Sequence, residues 1–287
     1  MSSMLRLVRI ECSKALKNRW FHIALGIACA LALISAIGNI AFHQASGVTQ
    51  LYEHKYVSPS PDSCYRYWIS LDFLQPTSTL LYQLLPLLAV IPHAWSLGAE
   101  LKSGYIAQTY SRTSRRRYAV AKYLSCAASA SLVAMVPIVL NFILLACFIP
   151  AYQPDVYEVI YLGVYEEMLW SELFYTQPVV YIILYTILPG VICALWAGFV
   201  MGLSYFVGNR VILIAAPYLF LLIVQFINDR IFLAAGSIAG FQLGLGNNMR
   251  AGTDMHLQVG WVIALECALL ALGSVVLIAA GNKKDVV

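Results

Sequence analysis

Charge is what this chain has least of. Asp, Glu, Lys and Arg make up 11% of its 287 residues, whereas 61% are hydrophobic and the mean hydropathy is +0.75; soluble domains carry about 25% charge. That imbalance excludes disorder and a water-facing globule, since the surplus apolar surface would exceed the roughly few hundred Å² that a soluble monomer leaves exposed. The solvent must be hydrocarbon. Cysteine pairing is missing as well: the seven Cys contain no C-x-x-C, and only Cys64 falls clearly outside the apolar runs and inner edge, so no disulfide framework fits. His22, His43, His54, His93 and His256 form no H-x-x-x-H pair, which leaves no metal site. A G-x-x-x-x-G-K-[ST] loop is absent, so the chain has no phosphate cradle of its own. No Ser/His, Cys/His or paired-carboxylate set is placed for catalysis, and the chain is read as a non-enzyme with no bound cofactor and no nucleic-acid partner.

What is abundant is uninterrupted apolar sequence. Crossing about 30 Å of hydrocarbon takes about 20 apolar residues, and six stretches qualify: 21–42, 79–97, 124–149, 179–207, 211–227 and 257–280. Continuous runs predict helices, because barrel strands alternate. The fold class is therefore an all-α, six-span integral membrane protein. The first run is longer than a signal-peptide core of about 7–15 residues and no A-x-A site follows, so it is expected to be retained.

Basic residues set the orientation. Arg6, Arg9, Lys14, Lys17, Arg19, Lys102, Arg112, Arg115, Arg116, Arg117, Lys122, Arg210, Lys283 and Lys284 fall on the side of the termini, leaving only Lys55, Arg66, Arg230 and Arg250 opposite. The positive-inside rule makes both termini cytoplasmic. Residues 1–20 form an amphipathic elbow helix, with Leu5, Val8, Cys12, Ala15 and Leu16 on one face. Its basic residues Arg6, Arg9, Lys14 and Lys17 are set against lipid phosphates. Residues 281–287 form a cytoplasmic tail.

The outer loops 43–78, 150–178 and 228–256 differ in character. The second holds Asp155, Glu158, Glu166, Glu167 and Glu172 without Lys or Arg, and Tyr157, Tyr161 and Tyr165 recur at helical spacing, which predicts an interfacial helix. The third carries Gly236, Gly240 and Gly244 at small-x-x-x-small spacing and reads as a re-entrant hairpin whose backbones approach closely. Within the spans, Pro86, Pro92, Pro137, Pro189 and Pro217 each free a backbone carbonyl and predict kinks, while Gly198 and Gly202 offer a close-contact face. Glu266 is the one acid inside a span. A charge there costs about 2.5–3.5 kcal/mol on insertion scales, so it is expected to be protonated, paired or facing a polar cavity. Glu266, Pro189 and Pro217 are the candidate pathway residues.

The inner loop 98–123, GAELKSGYIAQTYSRTSRRRYAVAKY, holds six basic residues and one acid, enough for a short helix lying across the membrane face. Glu100, Ser103, Gly104, Ser114, Arg115 and Lys122 in this loop, with Glu11 and Lys14 in the opening IECSKALKNRW, resemble the corresponding segments of ATP-binding cassette (ABC) permeases of the type 2 class. The family usually has Pro where this chain has Arg112, which bears on the turn geometry. The resemblance implies that the loop is a coupling helix seated in a groove of a separate cassette ATPase. Two ATPase copies would bind ATP and Mg2+, beside a second copy of the permease or a related one. Glu100 is expected to cap the helix and Gly104 to allow close backbone approach. It further implies export of an amphipathic substrate, such as an antimicrobial peptide, drug or lipid-like molecule, from a bacterial cell membrane. Other classes consistent with the composition are an ATP-independent carrier or channel and a non-transporting scaffold or sensor.

Overall fold

In a computed structural model, residues 3–45, 63–72, 75–111, 113–156, 162–166, 168–228, 230, 244–252 and 259–283 are described. Among these residues there are helices and no strand. In chain order the helices are α1 (Ser3–Leu16), α2 (Arg19–Ala45), α3 (Cys64–Tyr67), α4 (Pro76–Val90), α5 (Ser96–Lys102) and α6 (Tyr105–Tyr110), then α7 (Arg115–Phe148), α8 (Ser171–Thr176), α9 (Pro178–Leu203), α10 (Arg210–Ile227), α11 (Leu245–Asn248) and α12 (Gly260–Lys283).

Five of them, α2, α7, α9, α10 and α12, are long and apolar enough to cross a membrane. The expected second span differs. At about 1.5 Å per residue the 15-residue α4 is only about 22 Å long, and a turn over 91–95 separates it from α5. The break falls at Pro92, which has no N–H to give the helix, while Ile91 before it keeps helical backbone. Its carbonyl accepts from Asn18 Nδ2 at 2.7 Å, so the turn is fastened to the junction of α1 and α2. The helix that carries the expected third span begins ahead of its apolar run: α7 starts at Arg115, nine residues before Leu124. Its 34 residues run about 51 Å, well beyond about 30 Å of hydrocarbon.

The core lies where α7 packs against α1, α2 and α9, with α4 and α12 alongside. Small residues permit this. Ala24, Ala28, Ala32 and Ala36 form a buried stripe at four-residue spacing on α2, and Cys126, Ala130 and Ala134 do the same on α7. On α9, a Cβ at Gly198 would lie 2.2 Å from the Tyr123 ring of α7, and one at Gly202 would lie 2.9 Å from Leu277 of α12. The helix α10 is peripheral: Leu213 is its buried residue, while Val211, Leu219, Phe220, Ile223 and Phe226 face outwards. Such an apolar exterior fits lipid contact.

Two ends are recognisable. At the basic end, α1, α5, α6 and the start of α7 meet the 204–210 turn and the end of α12. Tyr205 Oη lies 3.1 Å from Asn282 Oδ1, and the Arg210 guanidinium sits 4.4 Å above the Trp95 ring. At the opposite end, Cys64 N donates to Pro150 O at 3.0 Å and Gly252 N to Ser70 O at 3.1 Å.

Candidate functional site

Lys122 lies on α7 with none of its surface exposed. A buried ammonium survives only with partners. It donates to Glu11 Oε2 of α1 at 2.8 Å and to Glu100 Oε1 of α5 at 2.7 Å. The Tyr118 hydroxyl, one turn earlier on α7, donates to the other Glu100 oxygen. Lys14 completes the set, donating to Glu11 Oε1 at 2.6 Å. Two carboxylates and two ammoniums thus balance, and three separate elements are pinned together. Burial alone would raise the Glu11 carboxyl, but Lys122 and then Lys14 outweigh it and hold it below its usual range. For Lys14, burial works to lower the ammonium, and the bond to Glu11 reverses that, leaving it raised.

The six expected coupling residues therefore divide. Glu100 and Lys122 belong to the interior cluster, and Glu100 receives Tyr118 and Lys122 instead of capping a helix. Ser103, Gly104, Ser114 and Arg115 are on the surface. Gly104 joins α5 to α6 with φ of +71°, and a Cβ there would meet nothing within 4 Å. Its glycine is explained by the left-handed backbone, not by close approach. Ser103 Oγ donates to Glu100 O at 3.2 Å. Ser114 is the extended residue before α7 and makes no side-chain cap. Arg115 donates to Asn282 O at 3.1 Å and sits 5.4 Å from the Tyr110 ring centre. Arg112 lies outside the described residues.

Arg6, Arg9 and Lys14 on α1 and Lys17 just after it are exposed, although Lys14 pairs its charge with Glu11. The apolar face of α1 is in part the expected one, with Ala15 buried and Val8, Cys12 and Leu16 half-buried. Glu11 and Ala15 are the buried residues, and Leu5 is 56% exposed, because the helix turns its inner side to Lys122.

A second constellation lies nearer the opposite end. Glu266 on α12 accepts from Asn248 Nδ2 at 2.8 Å, so the carboxyl is hydrogen-bonded. It borders an apolar cavity of about 560 Å³ walled by Trp196, Phe199, Pro217, Phe220 and Leu270. Glu266 and Pro217 therefore share one cavity; Pro189 is buried in α9 and does not line it. Gly236 and Gly240 lie outside the described residues. Gly244 precedes α11, where a Cβ would make an ordinary 3.6 Å contact with Gln225.

The acidic loop is in part outside the described residues, which omit Tyr157, Glu158, Tyr161 and Glu167. Where it is described, Tyr165 lies in non-helical chain and the short helix is α8, with Asp155, Glu166 and Glu172 exposed.

Sequence reasoning missed the network that closes this end. Asp72 Oδ2 accepts from Asn39 Nδ2 at 2.8 Å and Ser78 Oγ at 2.9 Å, and Arg250 donates to the Asp72 carbonyl and to Thr79 Oγ1. Asn39 in the first apolar run and Arg250 between two runs were the available signals, being polar groups where burial needs a partner. Among the described residues no group of His, Cys, Asp and Glu could hold a metal. No family model matches the chain, and no curated protein or solved structure does either.

Proposed function

We propose that this chain is the membrane-spanning subunit of an ATP-driven exporter of the ABC type 2 class, with α2, α4, α7, α9, α10 and α12 as its six spans and both termini cytoplasmic. The reading is carried by the Lys122 cluster. Transmitting an outside force to a membrane helix requires a rigid inward-facing element with no slack in its attachment. Tyr118 and Lys122 fasten α5 to α7 through Glu100, and Lys122 fastens α1 through Glu11. Ser103, Gly104, Ser114 and Arg115 stand just beyond, at the surface where a partner would press.

In this mechanism a cassette ATPase, two copies per complex, holds ATP and Mg2+ and closes on hydrolysis-linked cycling. Its movement bears on α5 and α6, and the ion cluster passes it to α7, which runs continuously from the basic end into the membrane. A second permease copy, or a related chain, supplies the other half of the pathway. An amphipathic cargo entering from the bilayer meets the cavity beside Glu266 and Pro217, where apolar walls suit its tail and the carboxyl suits a cationic head.

Mild solubilisation of a tagged chain from its own host should recover a nucleotide-hydrolysing subunit, and a photo-crosslinker at Ser114 should join the two. Recovery of the chain alone, with crosslinks only to lipid, would overturn the proposal. Cargo movement that persists without any ATPase would replace it with an ATP-independent carrier.

A further inference from the structure

The cluster at Lys122 leaves one feature of the basic end unused. Between the first turns of α7 and the last turns of α12 lies an open cavity of about 620 Å³. Its walls are apolar: Ala119, Val120 and Tyr123 on one side, Ala271, Val275 and Ile278 on the other. Its rim is cationic, with Arg115, Arg116 and Lys283, and no acid lines it. The two helices are tied at the rim by the Arg115 to Asn282 bond at 3.1 Å. Below that tie, the short side chains of Ala119, Ala271 and Ser274 do not fill the space between them.

We infer that this groove between α7 and α12 binds one anionic phospholipid, with an acyl chain against Ala119, Val120, Ala271 and Val275 and the headgroup phosphate among Arg115, Arg116 and Lys283.

Length and charge both select that occupant. From Ala271 to Lys283 the groove follows α12 for about 18 Å at 1.5 Å per residue. One leaflet of a hydrocarbon core about 30 Å thick is about 15 Å deep, so an acyl chain reaches from the rim to the closed end. A free phosphate would use only the rim and leave the apolar walls wetted. A zwitterionic lipid would bring its own cation against three others. Guanidinium groups suit a phosphate because their planar N–H fork donates two parallel bonds. Arg115 is already oriented by the Asn282 carbonyl and the Tyr110 ring. Arg116 and Lys283 make no hydrogen bond or ion pair to a described residue, leaving both heads available. Basic pockets between spans at the cytoplasmic face are the general form of such sites.

The inference needs the bilayer but not an ATPase, so its test stands apart from the transport reading. The purified full chain in detergent is examined by native mass spectrometry and thermal unfolding with added phosphatidylglycerol, phosphatidylcholine or inorganic phosphate. Phosphatidylglycerol is expected to remain bound as one molecule per chain and to raise Tm, with phosphatidylcholine at least tenfold weaker and inorganic phosphate without effect. The paired change Arg116→Glu with Lys283→Glu should abolish that preference. Ala271→Trp, which fills the groove and keeps every charge, should lower retention at least tenfold. Equal retention of the two lipids, a matching Tm rise with inorganic phosphate, or undiminished binding in Ala271→Trp overturns the proposal. Should the charge-reversed chain fail to fold, Ala271→Trp alone decides it.

Discussion

Lys122 is the residue on which the basic end depends, because its ammonium is fully buried and both its carboxylate partners come from other helices. Removing one member of a buried ion set leaves the rest uncompensated, at a cost of about 3–5 kcal/mol. Lys122→Met should therefore lower the unfolding midpoint in detergent sharply, and adding Glu11→Gln to it should cost less than Glu11→Gln costs alone, since the charge it removes has already lost its buried partner and keeps only the half-exposed Lys14. Independent, additive losses in a double-mutant cycle would show that the two side chains do not interact. The same cluster sets a pH dependence. Because the folded Glu11 carboxyl is held below its ordinary value of 4.5, its contribution to stability is complete above that value and is lost as pH falls through the lower folded one. Thermal unfolding followed from pH 6 downwards should show an acid limb that begins below about 4.5, and Glu11→Gln should flatten it. Lys14, raised by the same contact, acts in the alkaline range and leaves that limb untouched. Glu100 and Lys122 stand out in the sequence through the resemblance of their loop to a permease motif, yet their burial does not. The Lys122 to Glu11 contact joins positions 111 residues apart, and local pattern carries no trace of such a distance.

Among elements, the apolar runs translate into helices readily, and the places where they mislead have a common cause. Hydropathy marks where the chain leaves hydrocarbon; hydrogen bonding marks where a helix ends. On α7 the two differ, since Arg115, Arg116 and Arg117 are good helix formers in a polar setting and extend the helix past its apolar run. At 91–95 the reverse occurs: apolar sequence continues while Pro92 ends the helix. Glycine positions are likewise ambiguous until the neighbours are known. A Cβ on Gly281 of α12 would lie 2.3 Å from Cγ of Tyr205, the root of a ring that cannot swing away. Gly26 of α2 has nothing within 4 Å. Gly281→Ala is expected to destabilise by about 1–3 kcal/mol through overpacking, whereas Gly26→Ala should be neutral or gain up to about 1 kcal/mol from helix propensity. Unfolding of the two variants side by side in one detergent checks the contrast; equal effects would mean that α12 does not meet the 204–210 turn as described.

For the molecule as a whole, the two ends are chemically unlike, and the proposed orientation makes that asymmetry testable. The basic end gathers Arg6, Arg9, Lys14, Lys17, Lys102, Arg115, Arg116, Arg117, Arg210 and Lys283. The opposite end exposes Asp155, Glu166 and Glu172. Its one arginine in residues 244–252, Arg250, is mostly buried against Asp72 and Thr79, so it adds little to the outer surface charge. Orientation in the positive-inside sense follows from where cations resist translocation, and the contacts at each end carry it through the chain: residues near Ser114 and Asn282 share one side, and residues near Ser63 and Pro150 the other. Cysteines introduced at Ser103, Ser114 or Glu172 are exposed enough to react with a membrane-impermeant maleimide. In intact cells Glu172→Cys should label above the parent chain, while Ser103→Cys and Ser114→Cys should label only in inside-out vesicles. The opposite pattern would place the Lys122 cluster on the outer face, beyond the reach of any cytoplasmic ATPase, and labelling of all three from one side would contradict the separation of the two ends.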